Sequence, residues 1–458
     1  MIKIDLTKIL YQIPNYKEFM TINELDNSSK KLAEEFPHVE LNELGKSGEG
    51  RPIYCLKIGE GEENALLFAF PHPNEPIGSM SLEFLSRFLA ENPEFMKETG
   101  FTWYLIKAID IDGAVLNEGW FKGEFDPLKY AWNYYRPAGN EQIEWTFPIK
   151  YKKLEFENPP PETQALMSLM KKVKPKFMYS LHNSGFGGIY FYITRGVGDL
   201  FTDLIEFVKK ENLPLHLGEP EAPYIKPLHD AVFELFGVQE MYDFVESNGV
   251  ENPQDIIRCG TSSDDYLERI AGDKSMALVC EMPYFYDKSI DDLSKTEFER
   301  RDLVIKSIDY LKDVYNHSKE IFRSIKKYCK KTTRLYSAID YLIKTGGMML
   351  EVYMQDAKTS PMYEGKATVS QAFDSNVSGR YYSLLSISMI TRLCQEALLN
   401  HPEKKVELLK IKNDLKSWIE KRINELLLHT EFEVIPIQKL VRVQIGSAFI
   451  TLKNLSEN

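Results

Sequence analysis

Ala65-Leu66-Leu67-Phe68-Ala69-Phe70 passes without a break into Pro71-His72-Pro73-Asn74-Glu75-Pro76-Ile77-Gly78-Ser79. An unbroken apolar run of this length, stopped by proline, is sized for a strand buried on both faces. A His and a Glu separated by two residues at the end of such a strand fall on one side of a tight turn. There a single cation can take an imidazole nitrogen and a carboxylate oxygen. By itself the spacing is weak evidence, because short motifs recur by chance.

Working outward, comparable runs occupy residues 53–58, 101–109, 176–181 and 276–280, and helical periodicity fills 22–36, 80–89, 161–172 and 197–211. Strands alternating with helices predict an α/β fold, with a twisted, mostly parallel or mixed sheet covered by helices on both faces. In such sheets binding residues gather beyond the carboxyl ends of the strands. After about residue 298 the texture changes to long stretches rich in Leu, Ile, Lys and Glu, such as 303–328, 383–399 and 404–428. We therefore expect a domain over 1–311 carrying the chemistry and a mainly helical region over 312–458. Within the latter, the Ser/Thr-rich 359–380 reads as a long loop. Residues 432–435, 440–445 and 448–452 read as a β-like ending. No internal repeat or low-complexity tract is evident.

Two further strand ends carry chemistry. Phe177-Met178-Tyr179-Ser180-Leu181 ends in His182, and Ala277-Leu278-Val279-Cys280 ends in Glu281. His72, Glu75 and His182 at one sheet edge make a His₂Glu set, which holds zinc and leaves a fourth position open. A carboxylate outside that set, Glu281, is the expected general base, able to return its proton to a leaving amine. Each residue alone has a plainer reading as a polar strand end. Three in one chain make that reading less attractive.

Gly45-Lys46-Ser47-Gly48-Glu49-Gly50-Arg51-Pro52-Ile53-Tyr54-Cys55-Leu56-Lys57-Ile58-Gly59 resembles the opening strand signature of the zinc metallocarboxypeptidases of the carboxypeptidase A/B type. The order of His72-Pro73-Asn74-Glu75, Leu181-His182-Asn183-Ser184 and Cys280-Glu281-Met282-Pro283 is similar to that family's order of first ligand pair, last ligand and catalytic glutamate. The similarity spans about residues 22–311. It implies one Zn²⁺ per chain on His72, Glu75 and His182, with Glu281 promoting attack of water on an amide carbonyl. Asn133-Tyr134-Tyr135-Arg136 is similar in position to the family element that grips the substrate's terminal carboxylate. Asn133 and Arg136 are therefore expected to bind substrate; a surface ion pair is the alternative for Arg136. Asp110-Ile111-Asp112-Gly113 stands where the family usually has Asn-Pro-Asp-Gly. The family's carbonyl-polarising arginine has no evident match, and Lys122 or Lys129 are candidates to replace it. Its capping tyrosine is also missing, with Ile257 or Arg258 in its place. Asp264 and Asp265, in a stretch resembling the specificity loop, are candidates to prefer a cationic side chain. Asp as the cap of a following helix is the competing reading, favoured for at least one of them.

The composition narrows the field. The chain has 458 residues, is 43% hydrophobic and 12% aromatic, and carries a formal net charge of −12. That balance argues against a nucleic-acid partner, because phosphate binding needs clustered Lys and Arg. The longest basic cluster, Lys326-Lys327-Tyr328-Cys329-Lys330-Lys331, reads as a solvated helix end. No apolar stretch is long enough to span a membrane. Met1-Ile2-Lys3-Ile4-Asp5-Leu6 does not read as a signal peptide. Five scattered cysteines suggest neither a disulfide framework nor a cysteine zinc site, so a cytoplasmic location is expected. His38, His216, His229, His317, His401 and His429 have no strand-end setting and read as surface histidines, although 217–223 is a candidate loop over the cleft. Trp132, Tyr134, Tyr135, Tyr284 and Tyr286 are candidates to line the site.

The leading expectation is a zinc-dependent carboxypeptidase acting on a peptide. The runner-up is a deacylase or amidase taking an N-acyl amino acid or a cell-wall-type peptide. A non-catalytic binding scaffold is third, and it predicts decayed ligands that the sequence does not show. The helical region is open to three roles: an interface between copies of this chain, a recruiter of another partner, or a wall of the cleft.

Overall fold

In a computed structural model that describes residues 5–457, the chain forms fourteen strands. They are β1 (Val39–Lys46), β2 (Pro52–Ile58), β3 (Glu63–Ala69), β4 (Phe101–Ile106), β5 (Ile149–Tyr151), β6 (Leu154–Phe156), β7 (Phe177–Phe186), β8 (Tyr190–Ile193), β9 (Pro227–His229), β10 (Val232–Glu234), β11 (Met276–Tyr286), β12 (Lys295–Glu299), β13 (Lys366–Thr368) and β14 (Glu433–Val434). Ten of them make one sheet in the order β1-β2-β4-β3-β7-β11-β8-β10-β9, with β14 added to β11. The inner strands β4, β3, β7 and β11 run parallel, β8 pairs antiparallel with β11 and parallel with β10, and β1, β2 and β9 pair antiparallel with their neighbours. This is the expected α/β class. Every residue of β7 is buried, as a parallel strand covered on both faces requires. The reading of residues 1–6 as lacking a leader falls mostly on residues 1–4, outside those described.

The helix Ile77–Glu91 lies so close to β7 that a Cβ on Gly78 would come 2.6 Å from the Cβ of Leu181. Glycine is therefore required where the chain leaves the first ligand pair. Phe70, buried and non-glycine, adopts φ 55°, a left-handed turn that costs on the order of 1–3 kcal/mol. It redirects the chain at the end of β3, immediately before His72.

Three sequence expectations need correction. Of the β-like ending only Glu433–Val434 is a strand; residues 440–445 and 448–452 lie in the helix Ile437–Glu457. That helix contacts Ile77–Glu91, Leu200–Lys210 and the inner strands, so Val441, Val443, Gln444, Ile445, Ala448, Phe449 and Leu452 are all buried. Burial on several sides erases the polar face that marks a helix, and tertiary packing overrides the strand preference of Val and Ile. Nor is 359–380 a long loop. Thr368 caps a helix at Val369–Phe373 through a capping box with Gln371, and a wide turn, Asp374–Ser378, leads into the helix Gly379–Asn400. The Thr read as a loop residue is a helix start. Lastly, Lys326–Tyr328 does end a helix, but Tyr328 is buried.

Residue 311 falls inside the continuous helix Arg300–Ile325. One hydrophobic core joins residues on both sides of it, from Ile9 and Phe68 to Ile339, Leu385 and Phe449. Among the described residues no helix is long and apolar enough to cross a membrane.

Candidate metal centre and active site

β3 stops at Ala69, level with Leu181, whereas β7 and β11 run on past His182 and Glu281 to Phe186 and Tyr286, so these two residues lie within their strands, just beyond the end of β3. His182 on β7 stands opposite Glu281 on β11 in the parallel register. The turn after β3 swings His72 and Glu75 onto the same edge, closed by a hydrogen bond from the Glu75 amide to the His72 carbonyl. One ligand atom each from His72, Glu75 and His182 lies within 4.8 Å of the others, and all three residues are buried.

Glu75 stands between the imidazoles, with Oε1 3.1 Å from His72 Nδ1 and Oε2 3.0 Å from His182 Nδ1. Although close to Oε2, His182 Nδ1 makes no hydrogen bond, and His72 Nε2 is also unpartnered. Two imidazoles and a carboxylate that converge without saturating one another are a donor set suited to zinc. Glu281 Oε1 lies 3.6 Å from His182 Nδ1, beside the set but not within it.

Charges follow from this packing. Burial and the nearby Arg136 guanidinium lower His72 to about 4, which keeps its ring neutral and able to ligate. Burial alone would also lower His182, but the carboxylates of Glu144 and Glu75 hold it well above the ordinary value. Burial would raise Glu75, yet His72 and His182 outweigh it and hold the carboxyl below its usual range. Burial pushes Glu281 well above the ordinary range; His182 opposes this, and Glu75 and Glu221 reinforce it.

Around this centre is a cleft of about 420 Å³. Arg136 reaches into it, donating from Nη1 to Glu75 Oε1 at 3.0 Å. The surface-ion-pair alternative for Arg136 does not hold. Asn133, by contrast, turns away: its amide donates to the Lys129 carbonyl, and its oxygen packs over Gly119. The expectation that Asn133 binds substrate therefore has no support in its placement. Asp264 lines the cleft, while Asp265 bonds to Gln239 and pairs with Arg269. Neither aspartate is the cap. Ser262 occupies that position, with both acids in the first turn of Ser263–Ala271. Lys122 pairs with Glu24, and Lys129 donates to the Lys122 and Glu124 carbonyls, so neither replaces an arginine at the site. Of the five aromatics singled out, Tyr134 lines the cleft; Tyr284 and Tyr135 are core residues, Lys416 lies over Trp132, and Tyr286 pairs with Glu433 of β14.

Several groups of the site carry no sequence signal. Glu144 accepts from the Ser263 amide and hydroxyl and from Ser180 Oγ, and its Oε2 lies 3.7 Å from His182 Nε2. Gln444 donates to the His182 carbonyl at 3.0 Å while accepting from Ser81 Oγ. Tyr341 and Thr345, on the helix Arg334–Thr359, and Tyr382 and Met389, on Gly379–Asn400, wall the cleft. The helical region is thus part of the site.

Fold and donor set together define a metal-dependent hydrolase centre of the two-histidine, one-carboxylate kind. Residues 25–196 match the family model described as zinc carboxypeptidase, which bears out the resemblance read from the sequence, with zinc as the metal and a metallopeptidase as the class of enzyme. No curated protein gives a significant match. Solved structures similar to this chain include a protein described as a metallopeptidase from Shewanella amazonensis SB2B (15% identity, TM-score 0.39, 57% of this chain and 84% of the other). Another is a metallo-carboxypeptidase from Burkholderia cenocepacia (16%, 0.35, 58% and 60%). A third is bovine thrombin-activatable fibrinolysis inhibitor, solved in complex with tick carboxypeptidase inhibitor (15%, 0.35, 58% and 87%).

Proposed function

We propose that the protein is a zinc-dependent metallocarboxypeptidase that hydrolyses a C-terminal peptide bond. The observation that carries this reading is the convergence of His72, Glu75 and His182 beside an unligated Glu281, in one cleft with Arg136. Zinc held by the three ligands supplies Lewis-acid polarisation of a carbonyl and makes water more acidic. Glu281 takes the proton of the attacking water and passes it to the leaving amine, a role that suits a buried carboxyl with a raised pKa. Arg136 is the cationic donor of the cleft. Its contact with Glu75 keeps it next to the metal ligands, which supports a role in stabilising negative charge that develops on the carbonyl, and its guanidinium fork also fits a substrate carboxylate.

Elemental analysis of protein purified without chelator, with hydrolysis of C-terminal peptides and N-acyl amino acids, tests the reading. About one zinc per chain, lost in His72→Ala, with release of C-terminal residues is the expected result. Cleavage of N-acyl amino acids alone replaces the peptidase with a deacylase. A chain that holds no zinc under any loading condition removes both.

A further inference from the structure

Next to the metal cleft lies a second cavity of about 470 Å³, and Glu221 and Tyr382 line both. In the antiparallel pairing of β8 with β11, Tyr190 stands across from Glu281 and Tyr192 across from Val279. Both phenols donate to one carboxylate, Tyr190 to Glu221 Oε1 at 2.5 Å and Tyr192 to Oε2 at 2.9 Å. Tyr190 faces the second cavity and Tyr192 the metal cleft, so Glu221 sits in the doorway between them. Among the described residues no lysine or arginine pairs with it; its partners are the two phenols.

The second cavity is chemically one-sided. Phe186, Ile308, Tyr353 and Met362 give it apolar walls, and its carboxylates are Glu219, Glu221 and Asp374. Arg300 pairs with Glu219, and Asp374 accepts from the Glu219 amide and lies 3.6 Å from His216 Nε2, whereas Glu221 pairs with no lysine or arginine among the described residues. Ser184, two residues beyond His182 and only 7% exposed, lines the cavity with its hydroxyl unpartnered, as does His216 with Nδ1. Buried polar atoms are rarely left without partners, and a ligand in the cavity would supply them. Tyrosine faces add to the attraction for a cation.

We propose that this cavity is a substrate subsite for an apolar stem ending in an ammonium group, with Glu221 as its counter-ion. The inference rests on the peptidase reading of the neighbouring cleft and narrows it. Because Glu221 is joined through Tyr190 to the strand position facing Glu281, the cation belongs to a residue close to the scissile bond. A lysine-type side chain and a free amino terminus share this chemistry.

The test is calorimetric titration of the full chain as purified with four tripeptide analogues, each ending in alanine and carrying a ketomethylene in place of the scissile amide so that nothing turns over. The residue before alanine is lysine or norleucine, and the amino terminus is free or acetylated. We expect an ammonium group to improve binding at least tenfold. Loss of that gain on replacing lysine identifies the side chain, and loss on acetylation identifies the terminus. Glu221→Gln should abolish the gain while leaving the acetylated norleucine peptide within about twofold. Ile308→Trp, which fills the cavity away from the metal, should also remove it, with thermal melts confirming that both variants fold. Equal binding of all four analogues, binding of none, or an ammonium preference that survives Glu221→Gln overturns the inference. Zinc content and cleavage of the ordinary amide, measured on the same preparation, report separately on the peptidase reading.

Discussion

His182 is held along both edges of its ring. Nδ1 faces Glu75 and Glu281, while Nε2 meets Ser180 Oγ at 2.9 Å and the Glu144 carboxylate at 3.7 Å. A carboxylate behind a ligating histidine fixes its orientation and raises its basicity. Glu144→Gln should therefore lower zinc affinity about 10–100-fold, as read by competition with a chelator, with little change in thermal stability. Glu281→Gln should do the opposite, keeping zinc while hydrolysis falls about 10²–10⁴-fold. These two residues also show what could be read beforehand. Glu281 ends an apolar run, and that context gives it meaning in one dimension. Glu144 lies in a polar connecting segment and acquires its role only when folding sets it beside Ser180 and Ser263. Asn133 fails in the reverse sense, since its neighbourhood in sequence suggested a contact that its side chain, turned toward Lys129, does not make.

Among the elements, the short helix Ile111–Asn117 explains the departure at Asp110-Ile111-Asp112-Gly113. Asp110 caps it by accepting from the Gly113 amide. Asp112 accepts from Ser47 Oγ and the Glu49 amide and pairs with Arg51 and Arg334, tying the turn after β1 to the helix Arg334–Thr359. Asp110 is fully buried near Arg334, Asp112, Glu162 and Tyr135. Burial raises its carboxyl to about 7, against the opposing pull of Arg334. The folded chain thus holds this proton more tightly than the unfolded chain, where the carboxyl titrates near its ordinary value of about 3.9. Its stabilising contribution is complete below that value and is lost as pH rises through about 7, over a span of at most about 4 kcal/mol. Asp110→Asn retains the capping oxygen and removes the titration. Relative to the parent, its melting temperature should rise between pH 4 and pH 8; a constant difference would refute the assignment. The helix Ile437–Glu457 was illegible for a related reason. Periodicity reports an element with one wet face, and this one is surrounded.

For the molecule as a whole, the apolar core that runs from the N-terminal helices through the sheet into the last helix makes the two stretches of sequence mutually dependent. Differential scanning calorimetry should show one cooperative transition, and two resolved transitions would restore separate domains on either side of residue 311. The change of texture near residue 298 was visible as composition. What composition does not encode is where a helical region docks, which depends on shape matching between surfaces far apart in the chain.

The hydrogen bond from Gln444 to the His182 carbonyl has a consequence in time. Translation proceeds toward the carboxyl end, so β3, β7 and β11 leave the ribosome well before the helix that braces them. A nascent chain therefore has its ligands before it has their rear support. A chain cut before Ile437 should keep His72, Glu75, His182 and Glu281 but lack the hydrogen bond behind His182, and so hold zinc more loosely.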